Sequence, residues 1–529
     1  MNIWIVSLLI CVLNTFVAHG ALNIEPKSLN GTQSIPMELT DKQLGIQRYL
    51  AWLTVLQSSQ QQPDSRFGWN GWETNYNNGQ LDVYSVRYPL AFIGYSVAAM
   101  VYKTPIYREL AVNMLDNIIQ RFIEPHQYMY IERYWSREPT FPDPVAKANI
   151  MYSAHLAQLI ALFESISGNY KYTNDGWSFN WFGSQLHYDT RKLNDAILKQ
   201  IDEQRTGGVE CEPGSIFITC NNHQRIAFTL YDAIHGTNYS SSNAKFAKWM
   251  REHARAPFDD YRYFRINYRV PEHAFIPFYG STGNDAWALL FMSWLGDKQF
   301  LAKGYEKLHN NINWRKQTDG QGNEIEYLYG GIMGNMSQLN TWLASSIYPS
   351  VEKQFSSHYP ELKSKVGNVY RWFESKYGHL VANQTCLNAY SYEIEDARYQ
   401  IWSVANLFYS MMIDSEQLFY KLYFRSFNND NVNQPELISI DFPTVLVSSA
   451  YVDGKSIRIK LKTDCPYDQV VRTSFAIRNL RSFSSALLQI GSQVYDIDKF
   501  VTYDAVNRKL SFNDIQLDSQ LTNILTIQF

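Results

Sequence analysis

Apolar residues recur at three-and-four spacing over most of the chain between Asp41 and Phe427, the signature of helices with one buried face. The clearest runs are Leu44 to Leu56, Tyr107 to Phe122, Ala146 to Ile166, Arg191 to Ile201 and Ile226 to Ile234. Asp285 to Trp294, Glu361 to Phe373 and Arg398 to Met412 follow the same pattern. Gly168 and Gly236 mark helix ends, because glycine takes the left-handed conformation that stops a helix. Helix follows helix with no alternation of strand and helix, and no fixed-period repeat is present, which argues against a solenoid. The pattern predicts a helical toroid, in which paired helices circle a central pocket and loops at one end carry the chemistry.

The period changes after the polar run Asn428, Asn429, Asp430 and Asn431, a linker closed by Pro435. From Leu437 to Phe529 short alternating segments dominate: Ile457, Ile459 and Leu461 point one way, Arg458, Lys460 and Lys462 the other. Asp453 and Gly454 just before them signal a tight hairpin. Further strands are predicted at Ser474 to Ile477, Ala486 to Ile490 and Ile524 to Phe529, together a small β-sandwich. The expected organisation is therefore a segment 1–20 discussed next, an N-terminal extension 21–40, a helical domain 41–427, a linker 428–436 and a β-sandwich 437–529.

Residues 1–20 read as a secretory signal peptide, with an apolar run from Ile3 to Val17 ending in Ala18, His19 and Gly20. The absence of a basic start leaves an uncleaved anchor as the alternative, and no later stretch approaches the length of a membrane span. A net charge of −3 gives no reason to expect nucleic acid or an anionic membrane as partner, and a homo-oligomer is left open. Acceptor motifs for N-glycosylation at Asn30, Asn238, Asn335 and Asn383 fit a secreted, extracellular protein and predict exposed positions. Once Cys11 leaves with the signal, Cys211, Cys220, Cys386 and Cys465 remain, an even number that in an oxidising compartment suggests two bridges. Cys386 and Cys465 are expected to join the two domains. The outliers in composition are 37 tyrosines and 14 tryptophans, which build pockets for either sugars or hydrocarbons.

Two stretches carry candidate chemistry. The first runs from Asp143 to Leu156 and opens a long helix with Pro144 in its first turn. Met151 and His155, four apart, share a face of that helix with Tyr152 beside them. A histidine there is either a satisfied core residue or a catalytic one. The second stretch runs from Gly208 to Asn222. Pro213 and Gly214 suit the centre of a type II turn, which would fold Cys211 back toward Cys220; fully extended, the nine intervening steps would span about 30 Å. Asn221 or Asn222 is expected to cap the following helix, putting Cys220 at a helix N-terminus, where the dipole favours the thiolate. A Cys211–Cys220 disulfide is the equal alternative. Two cysteines so spaced lack the close ligand pairs of a closed zinc site, so no metal is expected.

Asp143-Pro144, Asn149 to Tyr152, His155-Leu156, Cys211-Glu212-Pro213, Phe217, Cys220-Asn221, Tyr231-Asp232 and His235-Gly236-Thr237 together resemble the linalool dehydratase/isomerase family in order and nearly in spacing. Arg87-Tyr88 with Ala91-Phe92 resembles the family's earlier tyrosine-bearing helix. The likeness is firm from Val86 to Tyr239, with an echo near Ala286-Trp287 and Tyr392-Glu393. It implies an (α/α)6 barrel and a pocket in which His155, Cys211, Cys220 and Tyr88 act on a terpenoid alcohol, with Met151, Phe217 and Glu212 lining it. It implies reversible dehydration of a tertiary allylic alcohol to a diene, with allylic isomerisation, and no metal or organic cofactor. Cys220 and His155 are expected near the leaving hydroxyl, with Cys211 as proton-transfer partner. The partner is thus a small apolar alcohol or alkene.

This sequence departs from the family in places. The family's aspartate on the first barrel helix falls in the run Tyr49, Leu50, Ala51 and Trp52, which holds no acid, and a later family tyrosine falls near Gly283, with Tyr279 close by. An aromatic insertion from Phe67 to Glu73 precedes the Tyr88 helix, and the family's other cysteine pair is missing. Two other readings compete. A carbohydrate enzyme would stack sugars on Trp69, Trp72, Tyr134, Trp135, Trp177 and Trp181 and would need two carboxylates, for which Asp143, Glu212, Asp285 and Glu326 are candidates. A non-catalytic binder of lipophilic ligands would keep the pocket alone.

Overall fold

The computed structural model describes residues 38–55, 87–128, 131, 143–181, 183–253, 267–275, 282–329, 336–355, 363–382, 388–394, 397–431, 433–463 and 470–529. The expected signal peptide 1–20, the aromatic insertion 67–73, Tyr134, Trp135 and Tyr279 lie outside them, as do Asn30, Asn335, Asn383, Cys386 and Cys465.

The first part of the chain is mainly helical. Helix α1 (Asp41–Thr54) opens with a capping box, Thr40 and Gln43 each accepting the other's backbone N–H. Then come α2 (Arg87–Met100), α3 (Glu109–Phe122), α4 (Ile150–Ser167), α5 (Thr190–Glu203), α6 (Ile218–His235) and α7 (Asn243–His253). Helices α8 (Thr282–Leu290), α9 (Lys298–Asn311), α10 (Met336–Phe355), α11 (Lys363–Tyr377), α12 (Ala397–Met412) and α13 (Glu416–Phe424) complete the set of nine residues or more among the described residues. Six of these pack in sequence: α2 on α4, α4 on α6, α6 on α8, α8 on α10, α10 on α12, and α12 back on α2. Helices α2 and α4 are buried on nearly every side, as central helices must be, whereas α3 and α5 show a polar outer face. Helix α3 lies against α2 and α4, α5 against α4, α9 against α8 and α10, α11 against α10, and α1 against α12. Gly94 lets α2 approach α4: a Cβ there would collide with Leu159 Cδ2. No described helix is long and apolar enough to cross a membrane.

Gly168 and Gly236 stop α4 and α6 at φ of +66° and +67°, as expected. The start of α4 differs from expectation. Asp143 Oδ1 accepts the amides of Val145 and Ala146, and Ala148 and Asn149 turn left-handed at φ +53° and +71°. The helix therefore begins at Ile150, whose N–H donates to Glu210 O at 3.0 Å, and Pro144 lies in the preceding turn. Helix α6 begins earlier than expected, at Ile218, and residues of the expected linker form a short helix, Phe427–Asn431.

Short sheets sit between helices: β1 (Trp177–Trp181) with β2 (Ser184–Tyr188), β3 (Ser215–Phe217) with β4 (Asn267–Arg269) and β5 (Ala274–Phe275), β6 (Asn313–Thr318) with β7 (Glu324–Tyr329), and β8 (Gly378–Ala382) with β9 (Asn388–Tyr392). The C-terminal region is strand-rich. It holds β10 (Glu436–Ile438), β11 (Val445–Asp453), β12 (Ser456–Thr463), β13 (Val470–Arg478), β14 (Ser485–Ile490), β15 (Gln493–Asp496), β16 (Val501–Asp504), β17 (Lys509–Asp518) and β18 (Asn523–Gln528). They form two antiparallel sheets, ordered β11-β12-β18-β14-β15 and β10-β13-β17-β16. Ile457, Ile459 and Leu461 are buried, alternating with more exposed Arg458, Lys460 and Lys462, as the pattern required. The β11–β12 turn residues are Gly454 and Lys455, one place later than expected, since Asp453 pairs with Ser456.

The helical and strand-rich parts are joined through Arg108, just before α3. Its guanidinium reaches Glu436 Oε2 at 2.8 Å, and Arg478 reaches the same oxygen at 2.8 Å. Backbone bonds from Leu437 N to Ile106 O (2.7 Å) and from Leu39 N to Ser448 O (2.7 Å) tie the same junction.

Candidate active site

Tyr88, Phe92 and Tyr95 are spaced by four and three on α2 and therefore share one face. That face meets His155 on α4, His223 on α6, Trp287 on α8 and Trp402 on α12. The Tyr88 ring stacks on Trp402 at 5.4 Å and meets Trp287 and His155 edge-on at 5.3 and 5.4 Å. Phe92 touches the same tryptophans at 5.6 and 5.5 Å. Met151, one turn before His155 as expected, accepts from Arg87 Nη2 at 3.3 Å.

The loop before α6 folds as its sequence suggested. Ser215 N donates to Glu212 O at 2.8 Å across Pro213 and Gly214, and Gly214 takes a φ of +75°, which only glycine adopts freely. Cys211 N then pairs with Ser215 O at 2.7 Å, and the chain doubles back into α6. Phe217, half-buried, is the residue before the helix, so Cys220 lies in the first turn, at the positive end of the dipole. Asn221 and Asn222 are not its caps. Asn221 instead clamps the loop, accepting from Val209 N and donating to Val209 O and Phe217 O at 2.8–2.9 Å. Asn222 bridges to α8 through Ala288 O.

Cys211 and Cys220 are both buried free thiols, not a disulfide. They share a hydrogen bond and are pushed apart in acidity. Burial, then the neighbouring Cys220, holds the Cys211 thiol well above the ordinary range, and the Glu212 carboxylate adds to this. Cys220 is drawn below that range by the Cys211 hydrogen bond, against its own burial, with help from Tyr88, Thr219 and the Arg87 charge. The Tyr88 hydroxyl lies 3.9 Å from Cys220 Sγ, and the Thr219 hydroxyl donates to it over the same distance. Glu212, half-buried, is raised by burial and moderated by Arg87 and Arg269.

His155 is fully buried and its pKa falls to about 3, through burial and then the Arg87 cation. Its Nδ1 meets the Tyr95 hydroxyl at 2.6 Å, while its Nε2 has no partner among the described residues. The ring lies 4.1 Å from that of His223. His223 is also fully buried, taking Trp287 Nε1–H on Nε2 at 2.7 Å and meeting Gln158 Oε1 from Nδ1 at 2.7 Å.

The seven residues singled out from sequence thus come from α2, α4, the Cys211 loop and the start of α6, which the fold draws to one region. Sequence reasoning passed over Arg87, Tyr95, His223, Trp287 and Trp402 as site residues. Arg87 had a signal, being the one charged residue of an otherwise apolar helix. His223 sits three after Cys220 and thus on its face of α6.

The departures have structural correlates. Ala51 is completely buried among Leu50, Trp52 and Leu53, a position with apolar neighbours on both sides in sequence. At Gly283 a Cβ would already lie 3.2 Å from Ala344 N and Leu343 Cγ, so α8 and α10 leave no room for a tyrosine. Of the carboxylates weighed for sugar chemistry, Asp143 is taken up by two amides and the Tyr188 hydroxyl (2.7 Å), and Glu326 pairs with Lys365 at 3.9 Å. Trp177 is core, edge-on to Phe179. Among the described residues no three His, Cys, Asp or Glu are grouped to hold a metal ion. Asn238 is exposed.

Comparison with solved structures finds a family 76 glycoside hydrolase from a bovine Bacteroides thetaiotaomicron strain, 12% identical, covering 70% of this chain and 78% of that one at a TM-score of 0.44. Unsaturated glucuronyl hydrolase from Bacillus sp. GL1 is 11% identical, covering 73% and 97% at a TM-score of 0.40. The sequence model of linalool dehydratase/isomerase matches residues 87–388, well past the point where the likeness fades to the eye. That span takes in Tyr88, His155, both thiols and Trp287, and the chain belongs to the linalool dehydratase/isomerase family.

Proposed function

We propose that this protein is a secreted lyase and isomerase that dehydrates or rearranges a small, apolar, terpenoid-like allylic alcohol. In this reading α2, α4, α6, α8, α10 and α12 are the inner ring of an (α/α)6 barrel, the two C-terminal sheets are a β-sandwich, and the pocket opens at the Tyr88 end of α2. The observation that carries it is the pair of buried thiols with opposed acidities beside Tyr88, walled by Phe92, Trp287 and Trp402.

Losing water from an alcohol requires a proton on the leaving hydroxyl and a base for a C–H proton, at two places in one apolar pocket. Cys211 is the group that keeps its proton and Cys220 the one that sheds it, so the roles divide accordingly. Cys211 protonates the hydroxyl, the C–O bond breaks and water departs. Cys220 thiolate removes the C–H proton, whose electron pair becomes the new double bond. Proton passage from Cys220 to Cys211 along their hydrogen bond restores the starting state. This reverses the placement of Cys220 beside the hydroxyl that the family resemblance alone suggested. Met151, Phe217 and the aromatic walls exclude bulk water, and burial, then Cys220, keeps the Cys211 thiol protonated, with Glu212 adding to this.

The test is a sealed-vial incubation of purified protein with a panel of allylic alcohols, read by headspace gas chromatography. An alkene and the rearranged alcohol are expected. Cys220→Ala should lower their formation by about 10²–10⁴-fold. A protein that retains lipophilic ligand but turns none over is a binder. One that cleaves glycosides, loses this on Glu212→Gln and keeps it on Cys220→Ala is a sugar enzyme. Either result overturns the proposal.

A further inference from the structure

The Tyr95 hydroxyl has His155 Nδ1 as its hydrogen-bond partner among the described residues, and both side chains are completely buried. Two arrangements of the protons are possible, and counting unmet groups separates them. If His155 carries its proton on Nδ1 and donates to the tyrosine oxygen, the phenolic hydrogen is left without an acceptor and Nε2 without a donor. If Tyr95 donates to Nδ1, both the hydroxyl hydrogen and Nδ1 are satisfied, and only an Nε2–H waits for a partner. A buried polar group without a partner costs about 1–3 kcal/mol, so the second arrangement is the more stable.

The surroundings of the ring reinforce this. His223, 4.1 Å away, is itself held neutral, because its Nε2 must accept from the Trp287 indole and its one proton goes to Gln158 through Nδ1. Tyr95 stacks on that same ring at 5.4 Å and 15°, which fixes the plane of the phenol. The charged and titratable groups facing His155 are Arg87, Tyr88 and Tyr95 from α2 and His223 from α6; Cys220 lies beyond Tyr88, 3.9 Å from its hydroxyl, and the charge acting on the imidazole is the Arg87 cation, which disfavours an imidazolium. The two nitrogens of an imidazole point to opposite edges of the ring. With Nδ1 turned to Tyr95, Nε2 lies on the part of the ring away from that hydroxyl, in a ring 5.4 Å from that of Tyr88, which is about 10 Å or two turns along α2 from Tyr95.

We infer that Tyr95 is a positioning residue, which by donating to Nδ1 fixes His155 as a neutral Nε2–H donor aimed at the substrate oxygen. His155 then orients the hydroxyl and does not carry the protons of the reaction, which leaves that work to the two thiols. The inference rests on the proposed chemistry only for the identity of the oxygen; the tautomer itself belongs to the protein alone.

The test uses the full chain labelled with ¹⁵N-histidine, with the His155 signals assigned by their loss in His155→Gln. Long-range ¹H–¹⁵N correlation spectra without substrate distinguish a protonated Nε2 from a protonated Nδ1. Wild-type protein is expected to show one His155 tautomer, protonated at Nε2, unchanged from pH 5 to pH 8, a window set by the ordinary histidine pKa of about 6.5. Tyr95→Phe should mix the tautomers and, on any alcohol that is turned over, lower kcat more than it raises KM. A His155 protonated on Nδ1 in the wild type, or on both nitrogens at pH 6, overturns the inference even if Tyr95→Phe fails to fold. So does an unchanged tautomer in a folded Tyr95→Phe. A correct tautomer with no turnover of any alcohol keeps the positioning role and removes the proposed lyase chemistry.

Discussion

Trp287 donates its indole N–H to Nε2 of His223 at 2.7 Å, and this one bond dictates the state of a completely buried imidazole. Nε2 must be a bare acceptor, so the single proton sits on Nδ1 and is given to Gln158. Trp287→Phe keeps an aromatic ring against Tyr88 and Phe92 but leaves that acceptor unmet. It should lower the unfolding free energy by about 1–3 kcal/mol, seen as a lower urea midpoint with an unchanged slope.

The two buried histidines make acid stability a readout of the site. Both have folded pKa values below the unfolded one, His155 at about 3. Between that value and the ordinary histidine pKa of about 6.5, the unfolded chain binds protons that the folded chain refuses. Stability contributed by the pair is therefore complete above that ordinary value and is lost as pH falls toward 3. Thermal unfolding followed between pH 7 and pH 4 should show a falling midpoint, and the fall should be shallower in His155→Gln, which has one fewer group to protonate. An equal slope in the two proteins contradicts the assignment.

For the thiols the signs differ. Cys220 ionises below the ordinary thiol range and Cys211 above it, so the active form, one thiolate and one thiol, spans that range. The rate of alcohol turnover should rise with pH as Cys220 loses its proton and fall again when Cys211 does, two apparent values belonging to the pair. Alkylation before reduction, followed by peptide mass spectrometry, should find both thiols free in the purified protein. A Cys211–Cys220 bridge there would remove the acid/base scheme.

At the junction of helices and sheets, Glu436 neutralises Arg108, both side chains being 7% exposed. Removing one partner of such a pair strands the other charge in a dry setting. Glu436→Ala should cost about 3–5 kcal/mol in denaturant unfolding, whereas Arg472→Ala, at an exposed pair with Asp514, should change stability by less than about 1 kcal/mol.

Much of this site was legible in the chain because its signals are local. Pro213 and Gly214 announce the turn that returns Cys211 to Cys220, and the spacing of Met151 and His155 puts both on one side of α4. The alternation around Ile457 likewise declares a strand. What stayed hidden depends on partners far away in sequence. Tyr95 and His155 are 60 residues apart, and nothing near either predicts their bond. The start of α4 is set by Ile150 reaching Glu210, which overrides a helical pattern running back to Ala146. Trp177 to Trp181 read as an exposed aromatic loop, yet Trp177 and Phe179 are core residues of a hairpin, a case where pattern shows hydrophobicity without showing which surface covers it.

Helix α12 returns to pack on α2 after about 300 intervening residues, and it brings Trp402 onto the open face of Tyr88. Every residue assigned a proton-handling role has left the ribosome by His235, long before that covering helix is made. A nascent chain therefore carries Tyr88 and Phe92 without their Trp402 cover through more than half of its synthesis. Closing so long a loop is slow relative to local helix formation, and exposed aromatic surface is what chaperones bind. The arrangement that covers Tyr88 with Trp402 thus also delays the moment at which the newborn protein can safely be left alone.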